Sequence, residues 1–153
     1  MQKRKQPAHP PPVRRHNTPI ILFVTVCSKQ RQPIFDNPDV QRTLCNVWSE
    51  AGYWTIGYYL LMPDHIHLFC SPGRWELSSI KKWVGYWKRR TSIDYPLLRT
   101  KWLTNCWDTQ MRSQEMFRTK LDYVRENPVR AGLVEKSEIW PYQGSLHDLA
   151  WVT

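Results

Sequence analysis

Two apolar runs, "WTIGYYLLM" (54–62) and "HIHLFCS" (65–71), are separated only by Pro63 and Asp64. Both read as strands, and so short a connection predicts a tight hairpin. Few features narrow the choice of fold as much, because the hairpin must sit at the centre of whatever precedes and follows it. Before it come "PIILFVTVCS" (19–28), a β-branched run suited to a buried strand, and "NPDVQRTLCNVWSEAG" (37–52). In the latter, Val40, Leu44, Val47 and Trp48 recur at helical spacing, Asp39 is placed to cap, and Gly52 is placed to end the helix.

After the hairpin, "LSSIKKWVGYWKRRTS" (77–92) predicts an amphipathic helix with Ile80, Trp83, Val84 and Trp87 as its apolar stripe. A strand-like or irregular segment from Lys101 to Gln110 leads to a last helix over about Ser113 to Glu126. The order strand, helix, strand, strand, helix, strand-like segment, helix predicts an α+β chain. It matches the ferredoxin-like, split βαβ arrangement: an antiparallel sheet with helices on one face, followed by a C-terminal helix.

A chain of 153 residues suits one core, so the expected division is an arm over 1–18 and a single domain over 19–153. Lys3, Arg4, Lys5, Arg14 and Arg15 supply five of the nine net positive charges, and Pro7, Pro10, Pro11 and Pro12 keep this arm out of regular structure. The arm reads either as a solvated, mobile tail or as a weak nucleic-acid arm. No run of about 18 apolar residues and no leader pattern occurs, which predicts a cytoplasmic protein without a membrane partner. Cys27, Cys45, Cys70 and Cys106 are widely spaced and read as reduced thiols, not as a zinc site or disulfide framework. His9, His16 and His147 belong to no pattern.

His65 and His67, one residue apart in a strand, leave the same face with Cα atoms roughly 6.5 to 7 Å apart. Two imidazoles so placed can converge on one metal ion, or they can be partly buried polar residues; a metal would need a further ligand. On the last helix Phe117, Leu121 and Val124 define a core stripe. Tyr123 lies about 100° from Val124, flanked by Met116 and Lys120, with Asn127 as its i+4 neighbour and Pro128 stopping the helix. One reading makes Tyr123 an edge-of-core aromatic and Asn127 a C-terminal cap. The other makes Tyr123 a phenolate nucleophile and Asn127 an oxygen donor to a metal. Two imidazoles, one amide oxygen and open positions would suit Mg²⁺ or Mn²⁺ on a phosphate.

"MPDHIHLF" and "YVRENPVRAGLV", in that order and with "WDTQMRSQEMFRTKLDYV" between them, resemble the REP-associated tyrosine transposases, relatives of the single-tyrosine HUH transposases. "FVTVCSKQRQPIF" and "WPY" are weaker matches, and Asp64 stands where an Asn is common. The resemblance implies that Tyr123 attacks a phosphodiester of single-stranded hairpin DNA, forming a 5′-phosphotyrosine link, with His65, His67 and Asn127 holding Mg²⁺ or Mn²⁺. It also implies a nucleoid-associated protein, read as a monomer ahead of a homodimer.

Lys81, Lys82, Lys88 and Arg89 cluster on the 77–92 helix and read either as a phosphate-tracking face or as a solvated basic face. Arg125 and Arg130 flank the tyrosine as candidate phosphate contacts, and Trp75 is a candidate for stacking on unpaired bases. Two competing functions are a non-catalytic, RRM-like single-strand binding module and a metal nuclease that uses activated water.

Overall fold

The computed structural model describes residues 9–13 and 19–149. The expected 1–18 arm therefore falls mostly outside the described residues, including its five basic side chains. Residues 9–13 run beside the last core strand: Val13 and the Gln110 side chain exchange two hydrogen bonds, of 2.9 and 2.8 Å.

The chain forms β1 (Ile21–Ser28), α1 (Pro38–Glu50), β2 (Trp54–Leu61), β3 (His65–Pro72), α2 (Ile80–Asp94), β4 (Trp102–Met111), α3 (Gln114–Arg125), α4 (Asn127–Arg130) and β5 (Gln143–Ser145), with short 3₁₀ turns between. The five strands make one sheet in the order β4-β1-β3-β2-β5, every neighbouring pair antiparallel. Its first four strands have the order expected of the split βαβ arrangement, and the 54–71 hairpin forms as the spacing predicts.

Helix ends differ in detail from the sequence reading. Asn37, not Asp39, caps α1, its side chain accepting from the backbone N–H groups of Asp39 and Val40. The helix closes at Ala51 without a left-handed residue, so Gly52 is not its terminator. Pro128 does not end the tyrosine helix either. α3 stops at Arg125, Glu126 keeps right-handed φ/ψ, and Pro128 sits in the first turn of α4, where its missing N–H costs nothing. α4 then closes at Gly132, whose φ of 74° is the left-handed conformation that glycine accepts freely. β5 was not foreseen, since "QGS" carries no apolar alternation. It adds to β2 through backbone pairing, with Gly144 so close to Tyr59 that a Cβ would lie 3.0 Å from its ring.

Alternation along β1 and β3 divides the core in two. Leu22, Val24, Val26, Ile66, Leu68 and Cys70 face α1 and α2, meeting Trp48, Trp83 and Trp87. Ile21, Phe69, Met111 and Val124 form the second cluster, where Met116, Phe117 and Leu121 lay α3 on the opposite face. Phe69 is fully buried there and meets Phe117 edge-on at 5.2 Å between centroids. Burying each such side chain is worth roughly 1.5–3 kcal/mol. This second layer brings the tyrosine helix over the face from which the histidines project.

Candidate active site

The register of β1 on β3 sets Cys27 opposite His65, Thr25 opposite His67 and Phe23 opposite Phe69. All six side chains leave the face covered by α3, while Ile66 and Leu68 anchor the strand from behind. The imidazoles of His65 and His67 meet edge to face at 4.6 Å between centroids.

Each ring is held through Nδ1. That of His65 lies 2.7 Å from Asp64 Oδ1, so the Nδ1 proton is donated to the carboxylate and Nε2 keeps its lone pair. That of His67 lies 2.9 Å from Thr25 Oγ1, and Phe23 stacks on the same ring at 5.1 Å. Asp64 is itself clamped: Arg31 Nε donates to Oδ2 at 2.8 Å, while Arg31 NH1 reaches Cys27 Sγ at 3.1 Å. Gln30 and Arg31 both have positive φ, 55° and 54°. Two successive non-glycine residues in the left-handed region cost on the order of 1–3 kcal/mol each, strain of the kind that persists where surrounding contacts enforce it.

Burial disfavours the protonated form of both imidazoles. Burial pushes His65 below its ordinary value against the opposing pull of Asp64, and it pushes His67 down to about 3, helped by the neighbouring charges of His65, Lys120, Arg31 and Arg130. For Asp64, burial works to raise the pKa, but hydrogen bonds and charge from His65 and Arg31 outweigh it and leave the carboxylate below its usual range. A neutral imidazole with a ring-nitrogen lone pair is the form that binds metal.

Asn127 approaches His65 Nε2 with its side-chain amide at 3.4 Å. It is therefore not a helix cap, which excludes one of its two sequence readings; Glu126 caps α3. The two ends of an amide are alike in shape, so the oxygen can occupy the place of the nitrogen. Two donors held at right angles by one ion at about 2.1 Å lie ~3 Å apart, close to the spacing found here. Among the described residues no cluster of three His, Cys, Asp or Glu side chains could hold a metal. The side chains whose donor chemistry would suit one here are His65, His67 and the Asn127 amide.

Tyr123 projects from α3 with 60% of its surface exposed, outside both core clusters. Its ring is overlain by the Arg130 guanidinium at 3.7 Å, and Lys120 Nζ lies 5.9 Å from the Tyr123 ring and 5.3 Å from that of Phe23. Lys120 thus joins the tyrosine to the Phe23–His67 stack. Ser113, Glu115, Met116, Thr119 and Lys120 line an open groove along α3 that reaches Tyr123.

The other sequence candidates are dispersed. Arg125 lies over the ring of Tyr58 at 5.2 Å, away from Tyr123. Lys81, Lys82 and Arg89 are exposed on α2, which packs on the far face of the sheet from the histidines. Lys88 does not share their face: it is buried and donates to the Leu103 carbonyl at 2.8 Å. Its place one residue after Trp87 turns it towards β4. Trp75 is 83% exposed, beyond the end of β3 remote from His65. Arg31, Thr25 and Phe23 were not foreseen, and Lys120 was read only as a flank of Tyr123. The first three lie in "FVTVCSKQRQPIF", but only the strand register links them to the histidines.

The fold, with paired histidines facing a tyrosine helix, is similar to that of solved proteins named as transposases. A solved REP-associated tyrosine transposase bound to a REP hairpin superposes with a TM-score of 0.71 at 17% identity, over 92% of this chain and 96% of that one. A protein of Deinococcus radiodurans R1, provisionally named a transposase, superposes with a TM-score of 0.50 at 16% identity, over 82% of this chain and 97% of that one. In sequence, the chain is 24% identical over 95 residues to the REP-associated tyrosine transposase of Escherichia coli K12. That match covers 62% of this chain and 56% of the relative, so it spans about half of that relative's length. No family model matches. The resemblance read from the two motifs, to the REP-associated tyrosine transposases, is thereby borne out. Among the described residues no helix is long and apolar enough to cross a membrane.

Proposed function

We propose that this chain cleaves and rejoins single-stranded DNA beside hairpins of the REP type, using Tyr123 as the nucleophile. The observation that carries the reading is the meeting, on one face of the sheet, of two adjacent imidazoles and the Asn127 amide with an exposed tyrosine bracketed by Arg130 and Lys120. An edge-of-core tyrosine would not need that exposure, and a stacking platform for bases would not have its ring face covered by a guanidinium.

In the proposed reaction the Tyr123 phenol gives up its proton and its oxygen attacks phosphorus. The P–O3′ bond breaks, the departing 3′ oxygen takes up a proton, and a 5′-phosphotyrosine ester remains. Attack by a 3′-OH reverses the sequence, so strand joining needs no external energy source. Arg130 holds the ring in position through its stack, and Lys120 supplies positive charge beside a phosphate placed between Tyr123 and His67. His65, His67 and Asn127 would hold Mg²⁺ or Mn²⁺, which when bound polarises the phosphate and stabilises the charge that builds on its oxygens. Asp64 and Thr25 keep the two imidazoles in orientation through their Nδ1 contacts.

The test is a denaturing gel of the protein with labelled hairpin DNA and Mn²⁺. A slow protein–DNA band that needs the metal and is absent in Tyr123→Phe and His65→Ala is the expected result. Metal-dependent cleavage that survives Tyr123→Phe would instead make this a nuclease using water, and binding with no cleavage under any condition would make it a single-strand binding module.

A further inference from the structure

Among the described residues Lys88 is a buried amine with no carboxylate beside it, its ionisable neighbours being the Cys106 and Cys27 thiols. Only 8% of the residue is exposed, and among the described residues its ammonium has one acceptor, the Leu103 carbonyl. An ammonium taken out of water and left without a carboxylate is costly, and it is a natural partner for an anion. The groove it lines, between α2 and the start of β4, also presents Arg89, Arg99, Thr100, Trp102 and Thr104, and none of its lining residues is acidic. Asp94, on the same helix, is paired with Arg90 at 3.8 Å.

This groove lies on the opposite face of the sheet from Tyr123 but at the same end. Ser28 pairs with Trp102 at the start of β4, and the adjoining Cys27 pairs with His65 at the start of β3. Between the two faces, Lys29 N–H bonds to the Lys101 carbonyl at 2.8 Å, and Arg31 reaches Asp64 beside His65. Cations therefore continue around the end of the sheet: Arg31 and Lys29, then Lys101, then Arg99, Arg89 and Lys88.

We infer that the α2–β4 groove is a second phosphate-binding site, taking the backbone of an unpaired strand that leaves the candidate active site and bends around this end of the sheet. The occupant is a nucleic-acid strand, because the cations form a path and not a single cluster, and the exposed Thr100 and Thr104 offer polar contact along it, beside a Trp102 that is packed on Phe35 and Trp87 as part of the groove wall. Placing the start of the strand rests on the proposed function; the groove's affinity for phosphate does not.

Binding without metal tests this, with fluorescence anisotropy of a DNA hairpin bearing an unpaired tail of about 12 nucleotides and of the same hairpin without a tail. The tail is expected to tighten binding by the full-length chain. In Arg89→Gln/Arg99→Gln, whose changed side chains are both exposed, that gain should fall about tenfold, the salt slope should shrink by about 1.4 for two lost phosphate contacts, and tailless binding should be unchanged. Lys88→Met should lose part of the same gain. A tail gain equal in wild type and double variant overturns the inference. So does a tail that adds nothing while millimolar inorganic phosphate raises the Tm of wild type but not of Lys88→Met, which would mark a site for a small anion only. Failure of the metal-dependent adduct would sink the proposed function and leave the tail measurement standing.

Discussion

Asp64 and His65 are chain neighbours whose side chains also meet, Oδ1 to Nδ1 at 2.7 Å, and through that contact the Nε2 lone pair of His65 is presented to Asn127. Removing the negative charge should loosen the tautomer and lower ligand basicity. Asp64→Asn is expected to weaken Mn²⁺ binding by roughly 10- to 100-fold, the range found for such supporting carboxylates, with Arg31→Gln intermediate. Calorimetric titration of Mn²⁺ into the three proteins checks the order; equal affinities would remove the carboxylate from any supporting role.

Arg130 covers the Tyr123 ring at 3.7 Å without being needed to build the core. Arg130→Ala should leave stability within about 0.5 kcal/mol, as for surface changes generally. It should slow formation of the protein–DNA adduct on the order of 100-fold by releasing the ring and removing a cation. Thermal melts and single-turnover adduct kinetics separate the two effects, and an Arg130→Lys variant, which keeps the charge but not the flat stack, should recover only part of the rate.

Phe69 is fully buried beneath α3 and contacts Phe23 and Phe117, both at the level of the histidine strand. Phe69→Ala should cost about 3–5 kcal/mol. Hydrogen exchange should report the loss first in α3, because the cavity opens under that helix and not under α1 or α2.

Burial holds the Lys88 ammonium below its ordinary pKa, so the folded chain binds fewer protons there than the unfolded chain between the two values. Stability from this group therefore rises with pH across that window, and the full penalty applies below the folded-state value. Relative to Lys88→Met, the wild-type protein should gain stability as pH goes from 7 to 10, read as a narrowing or reversal of their difference in urea midpoint. A constant difference would show that the ammonium reaches solvent in the folded protein.

The sequence by itself determined the elements and the kinds of residue that carry chemistry. Period-2 and period-3.6 patterns are local, so the 54–71 hairpin, the apolar stripes of α1 and α2, the shared face of His65 and His67, and the displacement of Tyr123 from the Phe117–Leu121–Val124 stripe could all be read from spacing. Tertiary structure decided what depends on contacts between distant residues. β5 exists because β2 offers it an unpaired edge, and Lys88 is buried because α2 packs on β4. Asn127 meets His65 because the right-handed Glu126 joint carries α3 into α4 and turns the amide towards it, where a proline-terminated helix would have left it as a cap. The Arg31–Asp64–His65 chain needed both a left-handed turn after β1 and the β1–β3 register. Neither leaves a mark on local hydrophobic periodicity, because hydrogen-bond partners 33 and more residues apart are fixed only when the sheet is assembled.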